Sequence, residues 1–145
     1  MRGVATHLAN DLWLSGKLDE ASLDQAVRPF HLAFRGHLDK TGYSPVLIEK
    51  ILYSAKEGYA CRIDYYGRED GLNVLKDAKC TKSHDRGADY QLCLQAYALA
   101  ENGYPVDRME ILELHEDETA EAYEYPVDLE IAPAVMKLYR RKNDR

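Results

Sequence analysis

Two aspartates and a lysine near the middle of the chain have the residue types and spacing for chemistry: Asp64, Asp77 and Lys79. Asp77 and Lys79 are two positions apart, so their side chains share a face if the segment is a β-strand. Carboxylates hold divalent cations, which activate a water and neutralise charge on a phosphate, while an ammonium group stabilises the phosphate oxygens. The trio therefore indicates phosphodiester hydrolysis, although an Asp-x-Lys triplet alone is more typical of a surface ion pair.

Three predicted strands have to position these side chains. Alternating apolar residues predict strands, joined by two hairpins, over Val46 to Ser54, Tyr59 to Tyr66 and Leu72 to Lys79. Asp64 and Asp77 reach one metal ion only from the same face of the second hairpin, which requires the numbers of paired residues to sum to an odd value. We therefore predict an odd register, for example with residues 68–71 as the loop, which places Asp64 diagonal to Asp77.

Helices are predicted on both sides of these strands in the sequence. Apolar spacing predicts one helix over Val4 to Ser15 and another over Asp19 to Leu38, where Pro29 predicts a kink or a break. A helix, two strands and a final helix that opens at residue 128 or 129 complete the chain, the first three over Asp89–Asn102, Arg108–His115 and Ala120–Tyr125. This order predicts the α/β class, with a mixed central β-sheet flanked by helices, in a single domain of residues 1–145.

The composition is that of an ordinary globular protein, with 46% hydrophobic and 30% charged residues. No apolar run approaches the roughly 18 residues of a membrane span, and the N-terminus lacks the apolar core of a signal peptide, so we expect a cytoplasmic protein without a membrane partner. The cysteines, Cys61, Cys80 and Cys93, have no metal-type spacing, which predicts reduced thiols and excludes a four-cysteine iron–sulfur cluster within this chain.

The formal net charge of -6 argues against a protein that coats nucleic acid, but it is compatible with a metal site built from carboxylates. Basic residues are concentrated in the middle of the chain and predict a local basic groove: Arg62, Lys76, Lys79, Lys82 and Arg86. A second basic group, over residues 137–145, is more typical of a solvated helix end.

Five short motifs occur in order along the chain: Gly3-Val4-Ala5-Thr6-His7, Glu49, Cys61-Arg62-Ile63-Asp64, Asp77-Ala78-Lys79-Cys80-Thr81, and a helix with glutamine and tyrosine over Tyr90–Ala100. Together they resemble the PD-(D/E)XK nuclease superfamily, in particular its RecB-like and phage-exonuclease branch. No single motif is specific for the superfamily, but the occurrence of all five in this order is. The resemblance covers residues 3–114. The chain departs from the pattern at Cys61, where the superfamily usually has a glycine that permits close backbone approach.

The resemblance implies a role for each matching residue. The ligands of one or two Mg²⁺ or Mn²⁺ ions would be a histidine, two carboxylates and a backbone carbonyl: His7, Asp64, Asp77 and Ala78. Glu49 would support a second metal or its water, and Lys79 would be the catalytic lysine.

DNA contacts are expected from the glutamine- and tyrosine-bearing helix and from the basic groove. Tyr97 would contact DNA or order the site together with a glutamine, which the superfamily places four residues earlier, where this chain has Cys93. Gln91 and Gln95 flank that position and both stay open, with Gln91 slightly preferred. The basic residues expected at the phosphate backbone are Arg62 and Lys82.

Further aromatic and histidine residues lie outside the motifs. Tyr65 and Tyr66 follow Asp64 directly and are candidates for stacking on a DNA base. The histidines that match nothing in the pattern are expected to be surface or loop residues: His31, His37, His84 and His115.

We therefore expect a Mg²⁺- or Mn²⁺-dependent DNA nuclease, specifically an exonuclease of the phage recombination or RecB-like type, which would act in a host cytoplasm if phage-encoded. Two alternatives stay open: a module of the same fold that binds DNA or a partner protein without cleaving, and a structure-specific or nicking endonuclease. The intact set of acids and lysine favours activity. Because six residues precede His7, we expect a homo-oligomer, assembly with a recombination partner protein, or a longer natural chain.

Overall fold

A computed structural model describes residues 2–81 and 86–144 of the chain, without the side chain of Arg86. The helices and strands within these ranges are α1 (Arg2–Leu14), α2 (Arg28–Thr41), β1 (Ser44–Ser54), β2 (Tyr59–Glu69), β3 (Leu72–Lys79), α3 (Arg86–Glu101), β4 (Arg108–Leu114), β5 (Ala120–Tyr125) and α4 (Ile131–Asn143). The predicted order of elements is confirmed. Over the described residues, no helix is long and apolar enough to cross a membrane.

The helical stretch predicted over Asp19 to Leu38, with a kink or a break at Pro29, is interrupted just before that residue. Glu20–Ser22 forms a short 3₁₀ turn, and α2 begins only at Arg28. Pro29 lies in the first turn of α2, where its missing backbone N–H would have had no intrahelical partner. The helix ends at Gly42, whose φ of 69° is a left-handed conformation that glycine adopts without strain.

One mixed sheet holds the strands in the order β1-β2-β3-β4-β5. Neighbouring strands are antiparallel except β3 and β4, which run parallel and are therefore joined by the crossover helix α3. Helix α3 packs across β1 to β4, whereas α2 packs against β4 and β5. The α/β class with a mixed central sheet flanked by helices is confirmed.

Each face of the sheet has its own hydrophobic core. The core on the α3 side includes Leu75, Leu92, Leu99 and Ile111. The core on the α2 side includes Phe30, Phe34, Val74 and Leu112. Val74 and Leu75 are adjacent on β3 and divide between the two cores, as strand alternation requires. Because β3 is covered on both faces, the charged residues near its end lie in a partly desolvated environment.

The hairpin between β2 and β3 has the odd register that the sequence predicts. Its loop is shorter than residues 68–71, however, since only Asp70 and Gly71 connect the strands, with φ values of 52° and 76°. The ladder ends at the pair Tyr65–Lys76, so the next residues outward are Asp64 and Asp77. They lie opposite each other rather than diagonally.

The alternation of β1 and β2 breaks where the candidate acids lie. On β1, Leu47 and Leu52 both pack in the α3-side core, although five residues apart they would face opposite sides of a regular strand. Between them is Glu49, whose φ of 49° is rare for a residue with a side chain. On β2, Ile63 and Tyr65 pack in different cores although they are two residues apart. Both strands therefore change face beside the point where β2 leaves β3.

Candidate active site

A cleft of about 790 Å³ opens where β2 separates from β3 and is covered on one side by α1. Side chains from three strands and two helices converge in it. The sequence-predicted residues that line it are His7, Glu49, Arg62, Asp64, Asp77, Ala78, Lys79 and Gln91. These residues come from segments more than 80 positions apart, so only the folded chain brings them together.

His7 connects α1 to the strands through both ring nitrogens. Its Nδ1 lies 3.0 Å from Glu49 Oε1, and its Nε2 lies 3.0 Å from the carbonyl oxygen of Ala78. The same Nε2 is 3.8 Å from Asp64 Oδ2. Arg62 takes the second carboxylate oxygen of Glu49 at 2.6 Å. Glu49 is therefore held between a histidine and an arginine, and these contacts support its left-handed backbone conformation.

The two aspartates sit on opposite strands at the mouth of the hairpin. Asp64 Oδ2 accepts a hydrogen bond from the backbone N–H of Ala78 at 2.9 Å, which replaces the ladder bond that β2 no longer makes. Asp77, which is 4% exposed, lies with its Oδ2 3.0 Å from Lys79 Nζ. Asp77 and Lys79 therefore lie on the same face of the strand, as predicted, and form a direct ion pair.

Electrostatics in the cleft favour a bound cation. Burial, and then the carboxylate of Asp77, raise the pKa of Asp64 well above its ordinary value. Burial alone would lower the pKa of Lys79, but the carboxylates of Asp77 and Asp64 raise it overall, so this side chain stays an ammonium ion. A divalent cation would relieve the repulsion between the acids that disfavours the charged form of Asp64.

The donor set fits a small divalent cation. One ligand atom each from His7, Glu49 and Asp64 lie within 4.8 Å of one another, and the carbonyl oxygen of Ala78 is beside His7. This set of carboxylate, carbonyl and imidazole donors is better suited to Mg²⁺ and Mn²⁺ than to metals that prefer thiolate ligands. Asp77 is outside that group of three, although it lines the same cleft.

Asp11 is a cleft residue that the sequence motifs do not include. It follows His7 by four positions on α1, which places both side chains on one helix face. Burial, and then the carboxylate of Glu49, raise the pKa of Asp11 to about 6. The i, i+4 spacing of a histidine and an aspartate on a helix was the available signal, but it is too common to identify a site by itself.

Several expected DNA contacts are not brought to the cleft. Tyr97 lies on α3 outside the residues that line it, and Lys82 falls outside the described part of the chain. Base stacking by Tyr65 and Tyr66 is wrong, because they are 0% and 5% exposed and belong to the two cores. Both residues lie on β2, and their rings pack into the cores on the two faces of the sheet.

Two further expectations fail because of burial, whereas His37 is only partly buried and His84 lies outside the described residues. Lys76 does not join a basic groove, since it is 1% exposed and ion-paired within the α2 side of the sheet. His31 is buried against Asn10, at 2.8 Å between Nδ1 and the amide oxygen. His37 is half-buried beside Lys76, with 2.8 Å between Nε2 and Nζ. The residue types of Lys76, His31 and His37 therefore did not predict which of these side chains are buried and which are exposed.

The glutamines on α3 take different positions. Gln91 is exposed and lines the cleft, whereas Gln95 is 2% exposed and donates from Nε2 to the carbonyl oxygen of Arg62 at 3.3 Å. Their spacing of four residues puts both on one side of α3, with Gln91 nearer the cleft.

No model of a known protein family matches the chain, and no curated protein is significantly similar to it. The fold is similar to the crystal structure of a "Putative exonuclease" from Eubacterium rectale, with a TM-score of 0.62 and 13% sequence identity. The alignment covers 98% of this chain and 66% of the other, so this chain spans slightly less than two thirds of that protein's length. At this identity the likeness shows a shared fold, and the cleft has to carry the argument about function.

Proposed function

We propose that this protein is a divalent-metal-dependent DNA nuclease of the PD-(D/E)XK superfamily, with residues 1–145 forming one nuclease domain. The observation that carries the proposal is the meeting of His7, Asp64 and the Ala78 carbonyl with the Asp77–Lys79 pair in one cleft. The fold shared with an exonuclease-named structure supports it independently.

Each side chain has a task in this proposal. His7 and Asp64, with the carbonyl oxygen of Ala78 and with Asp77, would hold one or two Mg²⁺ or Mn²⁺ ions. A bound ion supplies charge neutralisation at the phosphate and acidifies water. Glu49 would orient His7: its carboxylate would accept from Nδ1–H, and Nε2, which lies beside the Ala78 carbonyl oxygen, would be the nitrogen that binds the ion.

Lys79 acts on the phosphate and not on the metal. Its side chain is 30% exposed in the cleft and its ammonium group is paired with Asp77, so it donates hydrogen bonds without serving as a base. In hydrolysis a water oxygen adds to phosphorus and the bond to the leaving oxygen breaks. One water proton ends on the leaving oxygen, and the other stays on the new phosphate group or passes to solvent. Lys79 stabilises the charge that accumulates on the non-bridging oxygens. Arg62 and Gln91 line the cleft and would contact the bound DNA strand.

Within this class we favour an exonuclease of the phage recombination or RecB-like type, acting alone as an oligomer or with a recombination partner. The support is the printed name of the structural neighbour and the order of the five motifs. A nicking or structure-specific endonuclease would use the same side chains, and a binding module would have the same fold without cleavage.

The test uses linear duplex, single-stranded and closed circular DNA with Mg²⁺, Mn²⁺ or EDTA. We expect metal-dependent degradation of linear DNA, while closed circular DNA stays intact. The Asp77→Ala variant should not degrade linear DNA. Asp39→Ala, which removes an exposed aspartate from α2, is the matched control and should retain full activity. Cut circles would establish an endonuclease instead. Absence of metal-dependent cleavage, or cleavage that is unchanged in Asp77→Ala, would refute the proposed nuclease function.

A further inference from the structure

A second cavity, of about 370 Å³, lies beside the cleft between the beginning of β2 and helices α3 and α4. Arg62 and Gln91 line both spaces, so the cavity is continuous with the candidate active site. Most of its remaining wall is apolar or weakly polar: Ala60, Cys61, Leu94 and Met136. Burial raises the pKa of the Cys61 thiol to about 11, so it stays protonated and behaves as part of this apolar wall.

The polar groups of the cavity wall leave one acceptor unused. The hydroxyl of Tyr59 donates to the carbonyl oxygen of Leu94 at 2.6 Å, so it is already paired. Gln95 is 2% exposed, and its Nε2 is engaged by the Arg62 carbonyl. Its Oε1 is buried and has no hydrogen-bond partner among the described residues. A buried acceptor without a donor is unfavourable, and a ligand that brings an N–H group would satisfy it.

We propose that this cavity holds a nucleobase of the bound strand, next to the phosphate in the cleft, and that Gln95 Oε1 accepts a hydrogen bond from its exocyclic amino group. The inference rests on the proposed nuclease function. A flat base with an apolar face and a polar edge matches a cavity with a largely apolar wall and one buried acceptor that has no partner among the described residues. Arg62 connects the two sites, because its guanidinium reaches Glu49 in the cleft while its carbonyl holds Gln95.

This arrangement predicts discrimination among bases. Adenine and cytosine carry an exocyclic amino group, whereas thymine presents an N–H flanked by two carbonyl oxygens, which would face Gln95 Oε1 unfavourably. We expect dAMP and dCMP, with Mg²⁺, to bind roughly fivefold tighter than dTMP, a typical difference for one hydrogen bond. Deoxyribose 5-phosphate, which lacks a base, should bind weakest.

Isothermal calorimetry with these four compounds tests the proposal on the unmodified protein, since none of them has an internucleotide bond to cleave. Gln95→Leu should abolish the preference for dAMP over dTMP. Met136→Trp should fill the cavity and reduce dAMP affinity to that of deoxyribose 5-phosphate. Leu138→Trp is the matched control, because Leu138 is 68% exposed on the same helix and lies outside the cavity. It should change nothing.

Equal affinities for dAMP, dTMP and deoxyribose 5-phosphate would overturn the proposal, as would dAMP binding unchanged by Met136→Trp. The second variant remains informative if Gln95→Leu does not fold. Failure of the nuclease function would appear differently, as absence of DNA cleavage while dAMP still binds with the predicted preference. That result would support the base site and refute the hydrolase.

Discussion

Two clusters of charged side chains lie along strand β3, and they differ in whether their charges are satisfied by the protein. In the closed cluster, Lys76 Nζ lies 2.7 Å from Glu69 Oε1 and 3.3 Å from Glu110 Oε2. Arg108 pairs with both glutamates, so two basic residues meet two acidic ones. Burial, and then Lys76, lower the pKa of His37 to about 4, so the imidazole is neutral and accepts from Lys76.

The cleft cluster begins at Asp77, the next residue on the same strand, and is open. Its acids outnumber its bases, and the charged form of Asp64 is disfavoured first by burial and then by the neighbouring Asp77. A closed, balanced cluster is a structural device, whereas an open one with excess carboxylate is completed by a ligand. The comparison predicts that substitutions in one cluster change stability and those in the other change metal binding and catalysis.

The largest effect is expected from Lys76→Met, which removes the central cation of the closed cluster at similar volume. Glu69 and Glu110 then remain buried with one base between them, so the free energy of unfolding should fall by about 3–5 kcal/mol. Urea denaturation measures the change. A stability equal to that of the wild type would show that the cluster is not structural.

Lys79→Ala should have the opposite profile. Cleavage of linear DNA should fall about 10²–10³-fold, because a donor to the developing charge is lost, while the urea midpoint changes little. Single-turnover rates with saturating Mg²⁺ measure the first effect. Lys50→Ala, at an exposed position on β1, is the matched control and should cleave normally. If the two lysine variants behave alike, Lys79 has no catalytic role.

Glu49 distinguishes an orienting residue from a direct ligand. Glu49→Gln keeps an oxygen that accepts from His7 Nδ1–H, so Mn²⁺ affinity measured by calorimetry should change by less than about threefold. Glu49→Ala removes that acceptor and should weaken binding about 10–100-fold. Equal losses in both variants would indicate that the carboxylate acts at a metal or at its water, the role that the superfamily resemblance implies.

Asp64→Asn should stabilise the metal-free protein by about 1–2 kcal/mol at pH 8. The raised pKa of Asp64 means that the folded state holds a proton that the unfolded chain releases above about pH 4, so the aspartate costs stability as pH rises. Thermal melts from pH 4 to 8 should show the gain disappear towards pH 4. A gain independent of pH would contradict this explanation, and Mg²⁺ should stabilise the wild type only.

Local patterns predicted the elements well and their ends less well. The alternation in β1 to β3 and the tight Asp70-Gly71 turn depend on neighbouring residues, so the strands and the odd register were predictable. The loop was predicted too long because propensity does not say how far a ladder extends. Pro29 signalled a break, but whether it kinks a helix or starts one depends on what α2 packs against.

The sequence by itself determined which groups are available: the order of elements, the acid and lysine types on β2 and β3, and the five motifs that resemble a nuclease superfamily. Only the tertiary structure decided which charges are open to a ligand. Lys76 and Lys79 are the same residue type on the same strand. Lys76 faces two buried glutamates, however, whereas Lys79 faces the cleft. The physical reason is that desolvation and pairing depend on residues far away in the chain, which come into contact only when α1 and α2 pack on the sheet.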